Sequence, residues 1–233
     1  MTALFHNMKR IVVASLCSLI NVCDAQTETP GATPAGLSGG FGFFSAGVEH
    51  NNLSELNSAL NAGGYHSINP LSGSFGGEGM FAFDNVVMGG GGAWLSDSYT
   101  HNALNSLSLK GGYGYFNFGY IVYAKKSSVF YPALGIGRGD YSISVNQKNT
   151  NGSFDRQFNS ETGGWLFNAQ FTYQFYVRKS ETRGLFIGVK AGYKFSPSRW
   201  QTIIVNNSAN SLAGINMNGF YATLILGGGG LFK

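Results

Sequence analysis

The chain has 233 residues, a formal charge of +4, 11% charged and 15% aromatic residues, and 35 glycines. That length holds one domain with a sizeable core, or one small barrel. Low charge with many glycines and aromatics excludes a disordered chain, which needs the opposite composition. The weak, scattered positive charge excludes nucleic acid as a partner.

The N-terminus reads as a secretory signal over residues 1–25. Lys9 and Arg10 form the basic region, Ile11 to Val22 the apolar stretch, and Cys23-Asp24-Ala25 the small residues before a cut, so the mature chain starts at Gln26. A signal of usual length would begin at Met8. Bulky Val22 argues against a lipoprotein site at Cys23, and with Cys17 also inside the signal the mature chain has no disulfide or thiol chemistry. Removal of Lys9, Arg10 and Asp24 takes 15 basic and 11 acidic residues to 13 and 10, a charge of +3. No later run of about 18 apolar residues exists, which excludes helical membrane spans.

Residues 26–39, rich in Thr, Pro, Gly and Ala at the start, are expected to be a flexible periplasmic lead-in to a barrel domain over 40–233. Gly40 to Val48 is a first strand whose faces are ambiguous. Over Asn51 to Tyr65, Leu53, Leu56 and Leu60 fall at helical spacing and Gly63-Gly64 ends the run, which predicts a short helix in a long loop. Leu71 to Phe83 alternates, with Phe75, Phe81 and Phe83 on one face and Ser72, Ser74, Glu78 and Ala82 on the other; Asp84-Asn85 is a tight turn and Val86 to Ser96 returns. A polar loop is expected at Asp97 to Asn105.

Leu107 to Tyr123 is the fourth strand. Its apolar parity slips near Tyr115-Phe116, which predicts a β-bulge there. After a short turn at Ala124 to Ser128, Val129 to Val145 places Arg138, Asp140, Ser142 and Ser144 on one face and Tyr131, Ala133, Tyr141, Ile143 and Val145 on the other. Asn146 to Gly163 reads as a long polar loop. Gly164 to Val177 is the clearest segment: Trp165, Phe167, Ala169, Phe171, Tyr173, Phe175 and Val177 alternate with Leu166, Asn168, Gln170, Thr172, Gln174 and Tyr176. Successive strand side chains point to opposite faces, so one face is rings and the other amides and a hydroxyl, the pattern of a strand with lipid outside and a polar interior. Arg178 to Arg183 is a charged turn. Leu185 to Phe195 alternates as cleanly, Ser196 to Asn218 is a long loop with a hairpin extension at Thr202 to Val205, and Gly219 to Phe232 closes the chain.

Connections after strands one, three, five and seven are long and polar, and those after two, four and six are short. The prediction is therefore an all-β fold: an eight-stranded antiparallel transmembrane β-barrel, up-and-down, both termini periplasmic, with a short helix in its first outer loop. A soluble β-sandwich or lipocalin-like carrier is the competing fold.

By this pattern over nearly the whole mature chain, the sequence resembles the small outer-membrane β-barrel proteins of Gram-negative bacteria, the group of OmpX-like proteins and the OmpA transmembrane domain. The most specific segment is the last, Gly219-Phe220-Tyr221-Ala222-Thr223-Leu224-Ile225-Leu226 to Leu231-Phe232. It is similar to the C-terminal strand read by the outer-membrane assembly machinery, with Lys233 following the usual terminal aromatic. The resemblance implies insertion by that machinery, a place in the cell outer membrane and contact with its lipids, most simply as a monomer. It does not imply one function.

Glu78, Lys110, Arg138, Asp140, Lys190 and Lys194 fall on the polar parity of their strands and are expected inside the lumen, paired because an unpaired charge there is costly. Two readings stay open: a structural network plugging the barrel, or a small pore or ligand cavity in the space left by Gly76, Gly188, Gly192 and Gly227. Rim residues His50, Asp97, Ser98 and His101 raise a third, acyl transfer to lipid as in outer-membrane palmitoyltransferases, with no diagnostic spacing. No metal-ligand spacing exists, and the glycine runs Gly89 to Gly92 and Gly227 to Gly230 lack the lysine or following helix of a phosphate loop, so no cofactor, metal or catalytic residue is assigned. Trp94, Trp165, Tyr120, Tyr123, Tyr131 and Tyr193 are expected in the lipid-facing girdles. The expected role is non-enzymatic, structural or surface-interacting through the outer loops, with a small-solute channel or ligand-binding lumen as the alternative.

Overall fold

A computed structural model describes residues 36–101, 105–125, 127–148, 154–179, 184–205 and 210–232. The signal expected over residues 1–25, and the expected lead-in up to residue 35, lie outside the described residues. Eight long strands form the wall: β1 (Ser38–His50), β2 (Leu71–Phe83), β3 (Val86–His101), β4 (Asn105–Tyr120), β6 (Ser128–Lys148), β7 (Phe154–Lys179), β8 (Gly184–Phe195) and β11 (Gly219–Phe232). Each is hydrogen-bonded antiparallel to its neighbour in this order, and β1 pairs with β11, so the sheet is a closed ring. Three shorter strands complete the set. β5 (Tyr123–Lys125) runs along the start of β6, and β9 (Trp200–Val205) pairs with β10 (Asn210–Ile215) in a separate hairpin. Closure removes the raw edges an open sheet would expose.

Local chemistry sets the periplasmic end. Asp84 (φ 48°) and Asn85 (φ 68°) both take positive φ, the conformation a two-residue hairpin turn needs and one these short polar residues tolerate. Asn85 also ties the rim together. Its Oδ1 accepts from Leu37 N (3.0 Å), its N donates to Leu37 O (3.0 Å), and its O accepts from Ile121 N (2.8 Å).

Above the wall the outer end differs from the sequence expectation. The polar loops expected at Asp97 to Asn105 and Asn146 to Gly163 are mostly strand. β3 runs through to His101 and β4 begins at Asn105, while β6 has 21 residues and β7 has 26. About 10 residues cross a bilayer at a tilt, so the β6–β7 hairpin extends well beyond one. Once a strand leaves lipid its outer face no longer has to be apolar, and a polar strand there reads as a loop. From Phe154 to Leu166, β7 pairs only with β6; its ladder to β8 starts at Phe167↔Phe195.

The bulge expected in β4 is absent. Its ladder to β6 runs unbroken from Asn105↔Gln147 to Gly119↔Ala133, and the irregularity lies instead in β3, between Leu95 and Ser98. Leu107, Leu109, Tyr113, Tyr115 and Asn117 all face inward, while Phe116, Phe118 and Tyr120 face outward. The apparent slip is a change of surroundings, not of register: the outer part of the interior is itself apolar.

That apolar part is sealed by α1 (Ser54–Ala62), in the β1–β2 connection. Leu53, Leu56 and Leu60 of its stripe are buried with Tyr65 and Ile68 against Leu95, Leu107, Ile143, Leu166, Trp200 and Met217. The Asn57 side chain holds the return segment at Ile68, donating to Ile68 O (2.9 Å) and accepting from Ile68 N (2.7 Å). A second buried cluster fills the opposite end, with Phe41, Phe43, Met80, Val87, Tyr131, Tyr176, Phe186 and Ile225 among its members. Rings meet there at 5.4–6.2 Å between centroids.

The outside is the reverse of a soluble surface. Phe44 (80% exposed), Phe220 (70%) and Leu224 (70%) stand on the outer face with Trp165, Phe167, Phe171, Phe175, Leu185 and Ile187. Asn168, Gln170, Thr172 and Gln174, between the rings of β7, are buried inside. From Trp165 to Val177 the outward row takes 12 steps; at about 3.3 Å each and a tilt of about 40° this spans about 30 Å, the thickness of a hydrocarbon core.

Candidate functional site

Along β8 the inward residues run Phe186, Lys190, Lys194, from the periplasmic cluster into a charged middle layer. Two acids meet them. Lys190 Nζ is paired with Glu78 of β2, and Lys194 Nζ with Glu49 of β1; all four side chains are almost wholly buried. Glycines make the space. A Cβ on Gly91, opposite Glu78 in the ladder, would lie 2.3 Å from Glu78 Cγ, and one on Gly89 2.7 Å from Met80 Sδ. The run Gly89 to Gly92 is therefore where the β3 wall gives room to the inward side chains of β2.

Two tyrosines of β4 complete the layer. The Tyr115 hydroxyl donates to Glu78 and accepts from Lys190 Nζ (2.9 Å); Asn117 Nδ2 donates to the other Glu78 oxygen (3.3 Å). The Tyr113 hydroxyl donates to Glu49, and Lys194 Nζ sits 4.2 Å from the centre of the Tyr113 ring. The two rings stack, 5.6 Å apart and 22° from parallel. Beside them the Tyr221 hydroxyl lies 2.7 Å from Gln170 Oε1 and 3.0 Å from Asn168 Oδ1. Each charge thus has an opposite partner and at least one further contact from a hydroxyl or a ring, the condition under which a buried ion pair is tolerated. Two acids facing two bases leave no net charge to attract an ion.

Of the six residues expected inside, Glu78, Lys190 and Lys194 form this layer. Lys110, Arg138 and Asp140 do not: all three are on the outer face. In β6 the inward parity is Tyr131, Ala133, Tyr141, Ile143 and Val145, because the interior at both ends of that strand is apolar. Arg138 is opposite Trp165 in the ladder, and Asp140 opposite Gly112, the partner of Trp94. Both therefore stand at the upper border of the apolar belt, where charge is at home. Glu49 escaped the sequence reading. It shares the parity of Phe41, Phe43 and Ser45 on a strand with aromatics on both faces, and only the closure of β1 onto its neighbours shows which side is inside.

The girdle expectation holds for Trp94 (74% exposed) and Trp165 (64%), and Tyr120, Tyr123 and Tyr193 are also outward. Tyr131 is fully buried and belongs to the periplasmic cluster. The four glycines expected to leave a lumen do not. A Cβ on Gly76 would meet Gly92 O at 2.1 Å, on Gly188 Tyr173 O at 2.1 Å, on Gly192 Ala169 O at 2.5 Å, and on Gly227 Gly42 O at 2.2 Å. They permit close strand approach.

At the outer rim, beyond Trp94, Asp97 accepts from Lys110 (3.1 Å) and from the Tyr99 hydroxyl (2.9 Å). The bond from Lys110, then that from Tyr99, holds the Asp97 carboxyl below its ordinary range; the same contact with Asp97 raises Lys110. The His101 ring contacts His66, not Ser98. Among the described residues no hydrogen bond joins His50, Asp97, Ser98 and His101 into a relay, and no group of three metal-ligating side chains occurs.

A closed ring with an apolar outer belt, two buried apolar clusters and a buried layer of ion pairs inside defines an integral β-barrel of the bacterial outer-membrane class. No family model and no curated protein matches the sequence. Among solved structures, the chain is similar to a major outer membrane protein of Thermus thermophilus (10% identity, TM-score 0.44, covering 83% of this chain and 99% of that one). It is also similar to the outer membrane protein AlkL in lipid bilayers (12%, 0.40, 90% and 96%) and to Ail, the attachment invasion locus protein of Yersinia pestis (14%, 0.38, 85% and 99%). At such identities and TM-scores the class rests on the chain's own strand pairing and inverted wall.

Proposed function

We propose that the protein is an occluded, non-enzymatic outer-membrane barrel whose work is done by what stands above the membrane: the α1 cap, the β6–β7 extension and the β9–β10 hairpin. The observation that carries this reading is the filled interior. An apolar cluster closes each end, and the paired layer of Glu78–Lys190 and Glu49–Lys194 lies between them. Eight-stranded walls enclose just enough space for side chains, and here large rings occupy it. The outer belt meets lipid around the circumference, and β11, with Phe220, Leu224 and Leu226 outward, is the element offered to the assembly machinery. Within the lipid-spanning part of the wall, from Phe167 of β7 downward, a monomer pairs both edges of β7, with β6 and with β8.

Planar-bilayer recording on the purified mature chain tests this directly. The expected trace is flat at all voltages, and it stays flat in the Leu56→Asp, Leu60→Asp double variant, because the charged layer and periplasmic cluster remain below α1. Stepwise openings of the unaltered protein would overturn the proposal in favour of a channel.

A further inference from the structure

His66 and His101 belong neither to the buried clusters nor to the charged layer. Both are exposed at the outer rim, with ring centroids 5.8 Å apart and planes at 72°. They come from different elements, the return segment after α1 and the end of β3. They are held together by a bond one residue away: Thr100 Oγ1, itself buried, donates to His66 O at 2.6 Å. Tyr65 and Ile68, flanking His66, are buried in the outer cluster, so the His66 backbone is fixed on both sides.

We propose that this pair is a binding site for a divalent transition metal ion, the two imidazoles supplying two ligands and solvent the rest. Imidazole is the side chain such ions prefer among those present, the mature chain having no cysteine. Two imidazoles sharing a zinc ion at about 2.1 Å place their ring centres about 3.2 Å from it, hence about 5 to 6 Å from each other, which brackets the observed separation. The tilted contact becomes a shared site by rotation about χ2, a broad torsion in histidine. Filling it would staple the α1 return segment to the wall, fastening the cap that seals the outer cluster.

Calorimetric titration of zinc chloride into the untagged mature protein in detergent tests the assignment. The expected result is one zinc per chain, with affinity reduced more than about tenfold by either His66→Ala or His101→Ala, since even changes behind a ligand reduce affinity 10- to 100-fold. His50→Ala, on the far side of β2, leaves it unchanged. Both rings are exposed, so folding of the variants is retained, and heat-modifiable gel mobility reads it. No binding at millimolar zinc, or binding that survives loss of either ring, would show the contact to be ring packing alone.

Discussion

Replacing Lys190 by methionine isolates the buried charge. The substitution keeps the length and apolar stem of the side chain and removes the ammonium group that faces Glu78. The remaining carboxylate keeps two donors, the Tyr115 hydroxyl and Asn117 Nδ2 at 3.3 Å, but loses its counter-charge inside a closed wall. Breaking a buried pair from one side costs about 3–5 kcal/mol; the two residual donors place this case toward the lower end. Glu78→Gln leaves Lys190 with the Tyr115 hydroxyl and the faces of Phe43, Tyr115 and Tyr221, 5.6–5.8 Å away, and destabilises by a similar amount. The double variant Glu78→Gln, Lys190→Met carries no uncompensated charge and loses only about as much as either single variant, about 3 kcal/mol where additivity would give about 6, a coupling energy of about 3 kcal/mol. Urea unfolding in lipid vesicles, followed by fluorescence of the outward Trp94 and Trp165, measures it. Additive losses in the double variant, within about 0.5 kcal/mol, would refute the claim that the pair is held dry and mutually dependent.

Depth on the outer wall should be legible in the same assay: Phe171→Arg, mid-belt, destabilises by about 2–4 kcal/mol, whereas Trp165→Arg at the border changes stability by about 1 kcal/mol or less. The glycines separate by space. Gly76→Ala forces a Cβ to 2.1 Å from a backbone oxygen and should lower stability by about 1–3 kcal/mol, while Gly79→Ala, with nothing within 4 Å, is near neutral. At the rim, the Asp97 carboxyl titrates below the ordinary carboxylate range because Lys110 and Tyr99 donate to it. A depressed pKa means the contact stabilises above the unfolded value of about 3.9 and is lost as pH falls through the folded one. NMR titration should show that midpoint rising in Lys110→Met; an unchanged midpoint would deny the bond.

The strands whose faces could be read from sequence are those with one environment on each side over most of their length. β2, β7, β8 and the wall part of β11 alternate rings and small or polar residues without interruption, and the structure places those faces as their parity requires. β4 and β6 fail for a physical reason. Inside, they pass from an apolar cluster through the charged layer to a second apolar cluster; outside, they pass from lipid to the aqueous rim. Parity then separates Tyr141 from Asp140 correctly but assigns the wrong solvent to each. The error at Lys110, Arg138 and Asp140 is one error, made three times. Glu49 shows the complementary limit: nothing local to β1 tells its two aromatic faces apart, and the answer comes from partners 35 and 145 residues away, Glu78 by register with Phe43 and Lys194 by ion pairing with Glu49.

The ring is completed where the chain's beginning meets its end, over twelve residue pairs from Ser38↔Phe232 to Glu49↔Tyr221. Every intermediate short of that junction is a curled ribbon with two unsatisfied margins, which hydrocarbon does not tolerate. Maturation is consequently all or nothing: until Gly219 to Phe232 has arrived, the lipid-ready exterior has no tube to belong to, and a chain shortened by its last dozen residues would forfeit the whole cylinder rather than one stave.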